Sequence, residues 1–362
     1  MNTNPRGLDD LFVREPELTG RAEPVLPAHG LGVTPDPAPI PVPPAPPVPD
    51  GSMFDVSVIA PKPVLSRTGL FGRRVSPADQ REYRINLMKT RWKGPRTVLV
   101  MNPKGGSGKT PMSILVGAVL GHHSGQLPVV VDNNPTGNLR HRLEYCPDTA
   151  LTLEDMAEAA PGFTDATPAW VINEYLLHQE QGQFLALPSR NKAVITDPDG
   201  TQRRSESTIT GDQFDAVWRA CTRLSGIIVV DMGNNHRDPQ SVAAIRRADA
   251  VLLPIIWRED HCVGATGLLR DLATMGRPDL AASTIIVESI SGKIDVDPEV
   301  RRRYGSFMRD RWGLTVCEIP TDPHIARNRD IRYTQLRTAT TEAGIVVGAE
   351  LAARFSERPP RG

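Results

Sequence analysis

Asn102-Pro103-Lys104-Gly105-Gly106-Ser107-Gly108-Lys109-Thr110 is the stretch that decides how the rest of the chain is read. A short apolar run, Thr97-Val98-Leu99-Val100-Met101, precedes it, and the apolar segment Met112 to Leu120 that follows is long enough for a buried helix. A strand, a glycine-rich turn and a helix N-terminus in that order make a phosphate cradle. Glycines let backbone N–H groups converge on an anion, and the helix dipole adds positive potential at the same place. In such a loop Lys109 reaches the β- and γ-phosphates of a nucleoside triphosphate, and the Thr110 hydroxyl ligates Mg2+. The literal pattern asks for glycine at position 103, where Pro103 stands; a second lysine, Lys104, opens the loop instead. The competing phosphate-binding motif is a Rossmann dinucleotide site. It is disfavoured because Gly108 is followed by Lys109-Thr110-Pro111 rather than by a third glycine.

Outward from this loop the chain alternates between two periodicities. Strand candidates are 97–101, 129–132, 184–188, 227–231, 250–256, 284–290 and 315–319; helical patterns fall at 109–120, 169–179, 212–224, 238–247, 262–275, 298–311 and 342–355. Continuous Val/Ile/Leu strands interleaved with helices imply an α/β fold, a mostly parallel sheet with helices on both faces. Ligands of such sheets sit beyond the carboxyl ends of the strands, so the acids there are informative. Asp132 closes Val129-Val130-Val131, and Asp231 closes Ile227 to Val230. Alone, each would be read as a helix cap; beside a phosphate loop each is a candidate for holding Mg2+. Ser189 to Gly211 is polar and contains the turn signal Asp197-Pro198-Asp199-Gly200, so a surface hairpin is expected there.

The 362 residues carry 42 Lys/Arg and 42 Asp/Glu, so no global field favours nucleic acid or membrane. The charge is uneven, however. From Arg67 to Arg96 nine basic residues face only Asp79 and Glu82, and Ser76-Pro77-Ala78-Asp79 has the chemistry of a helix start, predicting a basic helix to about Trp92. Its charges are read first as a solvated face and second as a surface for nucleic acid or acidic lipid. Residues 1–65 are expected to be a disordered tail. Pro35 to Pro49 alternates proline with small apolar residues, which suits an extended spacer or a ligand for a proline-binding partner. Leu8 to Leu18 adds a short apolar-acidic motif that could dock on a partner. The expected organisation is thus a tail at 1–65, a basic helical linker at 66–95, an α/β domain at 96–355 and a disordered end at 356–362. Four well-separated cysteines with no metal spacing, no long apolar run and no basic-then-apolar leader point to a cytoplasmic setting. His122-His123, just past a predicted helix end, is read as capping rather than metal binding.

With its leading lysine, Lys104 to Thr110 (KGGSGKT) resembles the deviant Walker A loop of the MinD/ParA ATPase family. Asp132-Asn133-Asn134-Pro135-Thr136-Gly137-Asn138-Leu139 resembles that family's D-x-D-P switch, with Asn134 where a second acid is usual. Asp231-Met232-Gly233 with Asp238-Pro239 is similar to its Walker B strand and turn, and Ile319 to Ala326 to the loop bordering the adenine ring. Together the likeness spans about residues 96–355. A proline-rich tail, a basic helix and the P-x-D-x-H-I-A run at Pro320 extend it toward the EspI-like ATPases of actinobacterial type VII (ESX) secretion loci.

The resemblance implies ATP and Mg2+ as cofactors. It implies a cradle of Lys104, Gly105, Gly106, Ser107, Gly108, Lys109 and Thr110, bordered by Pro320 and Asp322. Thr110, Asp132 and Asp231 would hold the metal, and Lys104, Asp132 and Asn134 would serve hydrolysis, Lys104 by crossing a homodimer interface to the partner's nucleotide. An asparagine often follows the penultimate strand of this family and reads adenine; here the strand ends in Glu288-Ser289-Ile290, which leaves base selectivity open. The expected function is an ATP-dependent dimerising switch serving a larger machine through its tail, with a secretion apparatus as the implied partner. Two alternatives stand beside it. One is a segregation ATPase binding DNA non-specifically through the basic helix around Arg301-Arg302-Arg303; the other is a nucleotide-binding scaffold with little turnover, suggested by Asn134.

Overall fold

The computed structural model describes residues 76–135, 137–190, 194–196, 202–204, 209–288 and 296–358; the proline-rich tail and its apolar-acidic motif lie outside them. The first element is α1 (Pro77–Met88), where the Ser76 hydroxyl accepts the Asp79 N–H at 3.1 Å and proline takes the first turn. β1 (Arg96–Val100), α2 (Lys109–Ser124) and β2 (Val129–Asn133) follow, then α3 (Leu153–Ala159), α4 (Ala169–Asn173), β3 (Leu177–Gln179) and β4 (Phe184–Leu187). An antiparallel pair, β5 (Val194–Thr196) and β6 (Gln202–Arg204), stands where a hairpin is expected. Next come α5 (Gly211–Thr222), β7 (Ile227–Met232), α6 (Pro239–Arg247), β8 (Ala250–Ile255), α7 (Glu259–Thr274), α8 (Pro278–Ser283) and β9 (Ile285–Glu288). The chain closes with α9 (Pro298–Ser306), β10 (Thr315–Glu318), α10 (Pro323–Ala326) and α11 (Thr338–Glu357).

Eight strands form one sheet in the order β10-β9-β8-β1-β7-β2-β4-β3. All are parallel except β3, which runs antiparallel to β4 at the edge. The fold is therefore the α/β class expected from the sequence. Alternation along β1 explains how both faces are covered. Leu99 and Met101 enter one apolar cluster with residues of α5, α6 and α7, while Val98 and Val100 enter the other with residues of α2 and α11. β1 lies between β7 and β8, so the phosphate-loop sequence leaves the sheet near its middle, beside the ends of β7 and β2.

Several boundaries differ from expectation, each for a local reason. The helix expected at 169–179 stops at Asn173, and 177–179 pairs with β4 instead. Gln179 is buried there, and its amide bonds both the N–H and the C=O of Tyr145, at 3.2 and 2.9 Å. α3 is an additional helix, started by a capping box between Thr152 and Asp155. α2 runs through Ser124, and Gly125 ends it at φ 68°; His122 and His123 thus sit in its last turn rather than past its end. His122 stacks on Tyr333 at 4.3 Å and bonds to the Gln181 carbonyl at 2.8 Å. α1 stops at Met88, short of Trp92, and where a linker is expected it packs on α11 and α2. Among the described residues no group of three or more His, Cys, Asp or Glu could hold a metal, and no helix is long and apolar enough to cross a membrane.

Candidate functional site

The loop after β1 needs its glycines for conformation. Gly106 and Gly108 have φ of 73° and 89°, in the left-handed region that glycine alone enters without strain. Asn102 braces the loop from below: its Nδ2 donates to the Pro254 carbonyl at 2.7 Å, and its Oδ1 accepts the Lys104 N–H at 2.9 Å. Lys109 is folded into the loop it belongs to. Its ammonium donates to the carbonyls of Asn102 and Lys104, at 3.0 and 3.1 Å, and to Asn234 Oδ1 at 2.7 Å. Burial holds its pKa below the ordinary lysine value, against the opposing pull of Asp231.

Asp132 and Asp231 are partners in the β2–β7 register and both are fully buried. The Thr110 hydroxyl donates to Asp231 Oδ2 at 2.6 Å, and the Ser189 hydroxyl to Asp132 Oδ2 at 2.8 Å. Oδ1 of each carboxylate is buried without a hydrogen bond among the described residues. Burial, and then the charge of Asp231, pushes Asp132 up to about 8; burial raises Asp231 to about 6 although Thr110 and Lys109 favour its ionised form. Two crowded acids with orphaned oxygens beside a hydroxyl are a site short of positive charge. The set fits a hard divalent cation that takes most of its remaining oxygen ligands from phosphate and water. A close approach fixes Gly137: a Cβ there would lie 2.3 Å from Asp132 Oδ1.

Above these groups opens a cleft of about 270 Å³. It is lined by the loop from Gly105 to Pro111 and by Asn134, Asn138, Arg142, Asn234 and Asn328. Gly105 to Thr110 and Asn134 are thus brought together. Asp132 and Asp231 do not line the cleft, Asp231 meeting it through Thr110, and three further expected site residues lie off this wall. Lys104 turns toward α7, its half-exposed ammonium 3.9 Å from Asp260. Pro320 is exposed elsewhere on its loop. Asp322 is fully buried as the cap of α10, accepting the N–H of His324 and of Arg337 and the Thr340 hydroxyl at 2.8–2.9 Å. Those three bonds hold its pKa low against burial and occupy the side chain in anchoring the start of α11, away from the cleft lining. Conversely, Asn234, Asn138, Arg142 and Asn328 carried no assigned role in the sequence. Asn234 has a readable signal, since it follows Asp231-Met232-Gly233 directly. Arg142 and Asn328 have none.

No family model and no curated protein sequence matches the chain. Solved structures do resemble it. A ParA family ATPase from Chlorobium tepidum superposes with a TM-score of 0.54 at 15% identity, covering 71% of this chain and 98% of that one. The MinD cell division protein of Aquifex aeolicus gives 0.50 at 16% identity, covering 73% and 98%. A Cyanothece McdA–ATP complex gives 0.50 at 13% identity, covering 72% and 96%. At such identities the likeness is one of fold: the sheet and its helices follow the ParA/MinD P-loop arrangement.

Proposed function

We propose that this chain is a cytoplasmic ATP-binding switch that takes Mg2+-ATP in the cleft, dimerises around it and serves a larger machine. One observation carries the nucleotide part. Lys109 stands inside a left-handed glycine loop, and Thr110 is bonded at 2.6 Å to one of two buried, crowded carboxylates. Each group then has a task. Backbone N–H groups of Gly105 to Thr110 hold phosphate oxygens. Lys109 exchanges its three protein acceptors for the terminal phosphates, which gives the loop a reason to change shape on binding. Mg2+ would supply positive charge to a site short of it, and Thr110 and Asp231 would hold it, with Asp132 as the neighbouring carboxylate whose proton would have to leave for it to assist. Asn134 orients the attacking water by hydrogen bonding but cannot accept its proton, so turnover is slow.

The Lys104 ammonium is half-exposed and pairs with Asp260 at 3.9 Å, a contact weak enough to let it leave α7 for a partner's nucleotide. The ParA, MinD and McdA fold neighbours, the last bound to ATP, support the same switch. For the larger machine we keep a type VII secretion apparatus, on the order of motifs and the proline-rich tail. A DNA-binding role is the weaker reading, because the basic helix α9 is balanced locally. Arg301 pairs with Glu288 and Glu318, and Arg303 with Glu259. A scaffold that binds nucleotide without turning it over is the second reading, carried by Asn134 in the cleft.

Calorimetric titration with Mg2+-ATP, run beside a phosphate-release assay, tests the proposal. Wild type binds; Lys109→Ala loses on the order of a hundredfold in affinity, the worth of about two charge-assisted hydrogen bonds. Wild type releases phosphate slowly, and Asn134→Asp speeds it. Absence of binding by the wild type defeats the nucleotide reading, and binding without any turnover selects the scaffold.

A further inference from the structure

Arg142 is a buried charge that the phosphate chemistry leaves unused. It follows the short turn Leu139–His141 at the end of the switch segment and is 3% exposed. Its Nη2 donates to the Ile325 carbonyl at 3.0 Å, its Nη1 donates to Asn328 Oδ1, and its own carbonyl accepts the Ile331 N–H at 2.9 Å. Arg142 therefore straps the loop after α10 onto the switch segment. Yet its Nε–H is buried with no hydrogen-bond partner among the described residues, which a purely structural strap would not require. Both Arg142 and Asn328 line the same cleft as the glycine loop. Asn328 stands at φ 55°, a left-handed conformation that asparagine tolerates and that sets its side chain on this wall.

The division of the cleft follows from chemistry. Lys109, Thr110 and the loop N–H groups take the phosphates, so ribose and base meet the remaining wall. Pro320 and Asp322, the residues expected to border the base, are not on it. Arg142 and Asn328 are. With its Oδ1 engaged by Arg142, Asn328 presents only its Nδ2–H donors, and a guanidinium has donors alone. We propose that Arg142 and Asn328 form the nucleoside-reading wall of this cleft, a donor-only surface that binds acceptor atoms of the ribose and base. The proposal rests on the triphosphate reading of the cleft and adds to it where specificity resides. Burial lowers the Arg142 pKa without neutralising it, so the guanidinium stays a charged donor.

The test compares Mg2+-ATP with Mg2+-tripolyphosphate, which shares the phosphates and lacks the nucleoside. Asn328→Gly removes the amide while keeping the left-handed backbone, and Arg142→Lys keeps the charge while losing the fork. The full-length proteins are titrated calorimetrically, with thermal melts to confirm folding. Wild type is expected to bind ATP at least tenfold more tightly than tripolyphosphate. Each variant should lose roughly tenfold for ATP and less than twofold for tripolyphosphate, the size of one or two hydrogen bonds. Equal losses for both ligands overturn the proposal, since Arg142 would then act on phosphate. Unchanged ATP affinity in the folded Asn328→Gly protein overturns it as well. If wild type binds neither ligand, the triphosphate reading falls and takes this wall with it, an outcome distinct from either of the others.

Discussion

Asp132 is the residue where burial and charge act most strongly on one another. In the unfolded chain it ionises near 3.8, whereas in the ligand-free fold burial and Asp231 keep its proton on to about 8. Between those values the folded protein binds more protons than the unfolded one, so stability falls as pH rises through the window. Thermal melts in EDTA between pH 5 and 9 are expected to show the wild-type Tm declining with pH, and a flatter profile for Asp132→Asn. A wild-type profile no steeper than the variant's would mean that Asp132 is already ionised in the empty fold at neutral pH. Mg2+-nucleotide should also bind more tightly as pH rises, because the proton must leave before the carboxylate can serve the cation. Asp132 and Asp231 were readable in the sequence because each ends an apolar strand, and the strand periodicity says where the end is. Asp322 shows the limit of such a reading. Its motif is visible, but the three donors that consume its carboxylate come from His324, Arg337 and Thr340, up to 18 positions away.

Among the elements, α1 forms where its cap chemistry placed it, but its packing was not legible in the sequence. Its basic residues suggested a linker with a charged face, while its few apolar residues were too sparse to predict a docking side. In the fold Met88 is completely buried, and the edge of Trp92 meets Phe355 at 5.1 Å. α11 makes room with glycine: a Cβ on Gly348 would lie 2.6 Å from Met88 Sδ and 3.0 Å from Val119 Cγ1. Packing rather than charge holds this helix. The Arg81–Glu342 ion pair is 2.7 Å long, but its side chains are 46% and 41% exposed, which limits it to well under about 1 kcal/mol. Met88→Ala is therefore expected to lower stability by about 2–5 kcal/mol, and Arg81→Ala by less than about 0.5 kcal/mol, in urea unfolding followed by far-UV circular dichroism. Comparable losses in the two variants would reverse the ranking and make α1 an electrostatic attachment.

At the scale of the whole molecule, the cleft opens where β1 leaves the middle of the sheet, with α7 and Lys104 beside it. If the switch closes as a dimer, light scattering should show Mg2+-ATP doubling the mass of wild type and leaving Lys104→Ala monomeric, with nucleotide affinity in the variant changed less than about threefold. A wild type that binds ATP and stays monomeric would remove the dimer and keep the binding site. The glycine loop, the parallel strands and the strand-end positions of Asp132 and Asp231 were legible in the sequence, because each depends on near neighbours. The left-handed turns need glycine at Gly106 and Gly108, a central strand needs an unbroken apolar run, and a helix start needs its cap. Only the tertiary structure could decide that β1 lies between β7 and β8, that Lys104 faces Asp260, and that Asp322 serves α11. Arg142 and Asn328 meet across 186 positions of chain. No periodicity or turn chemistry acts over that separation; what joins them is the packing of elements whose order in space differs from their order in sequence.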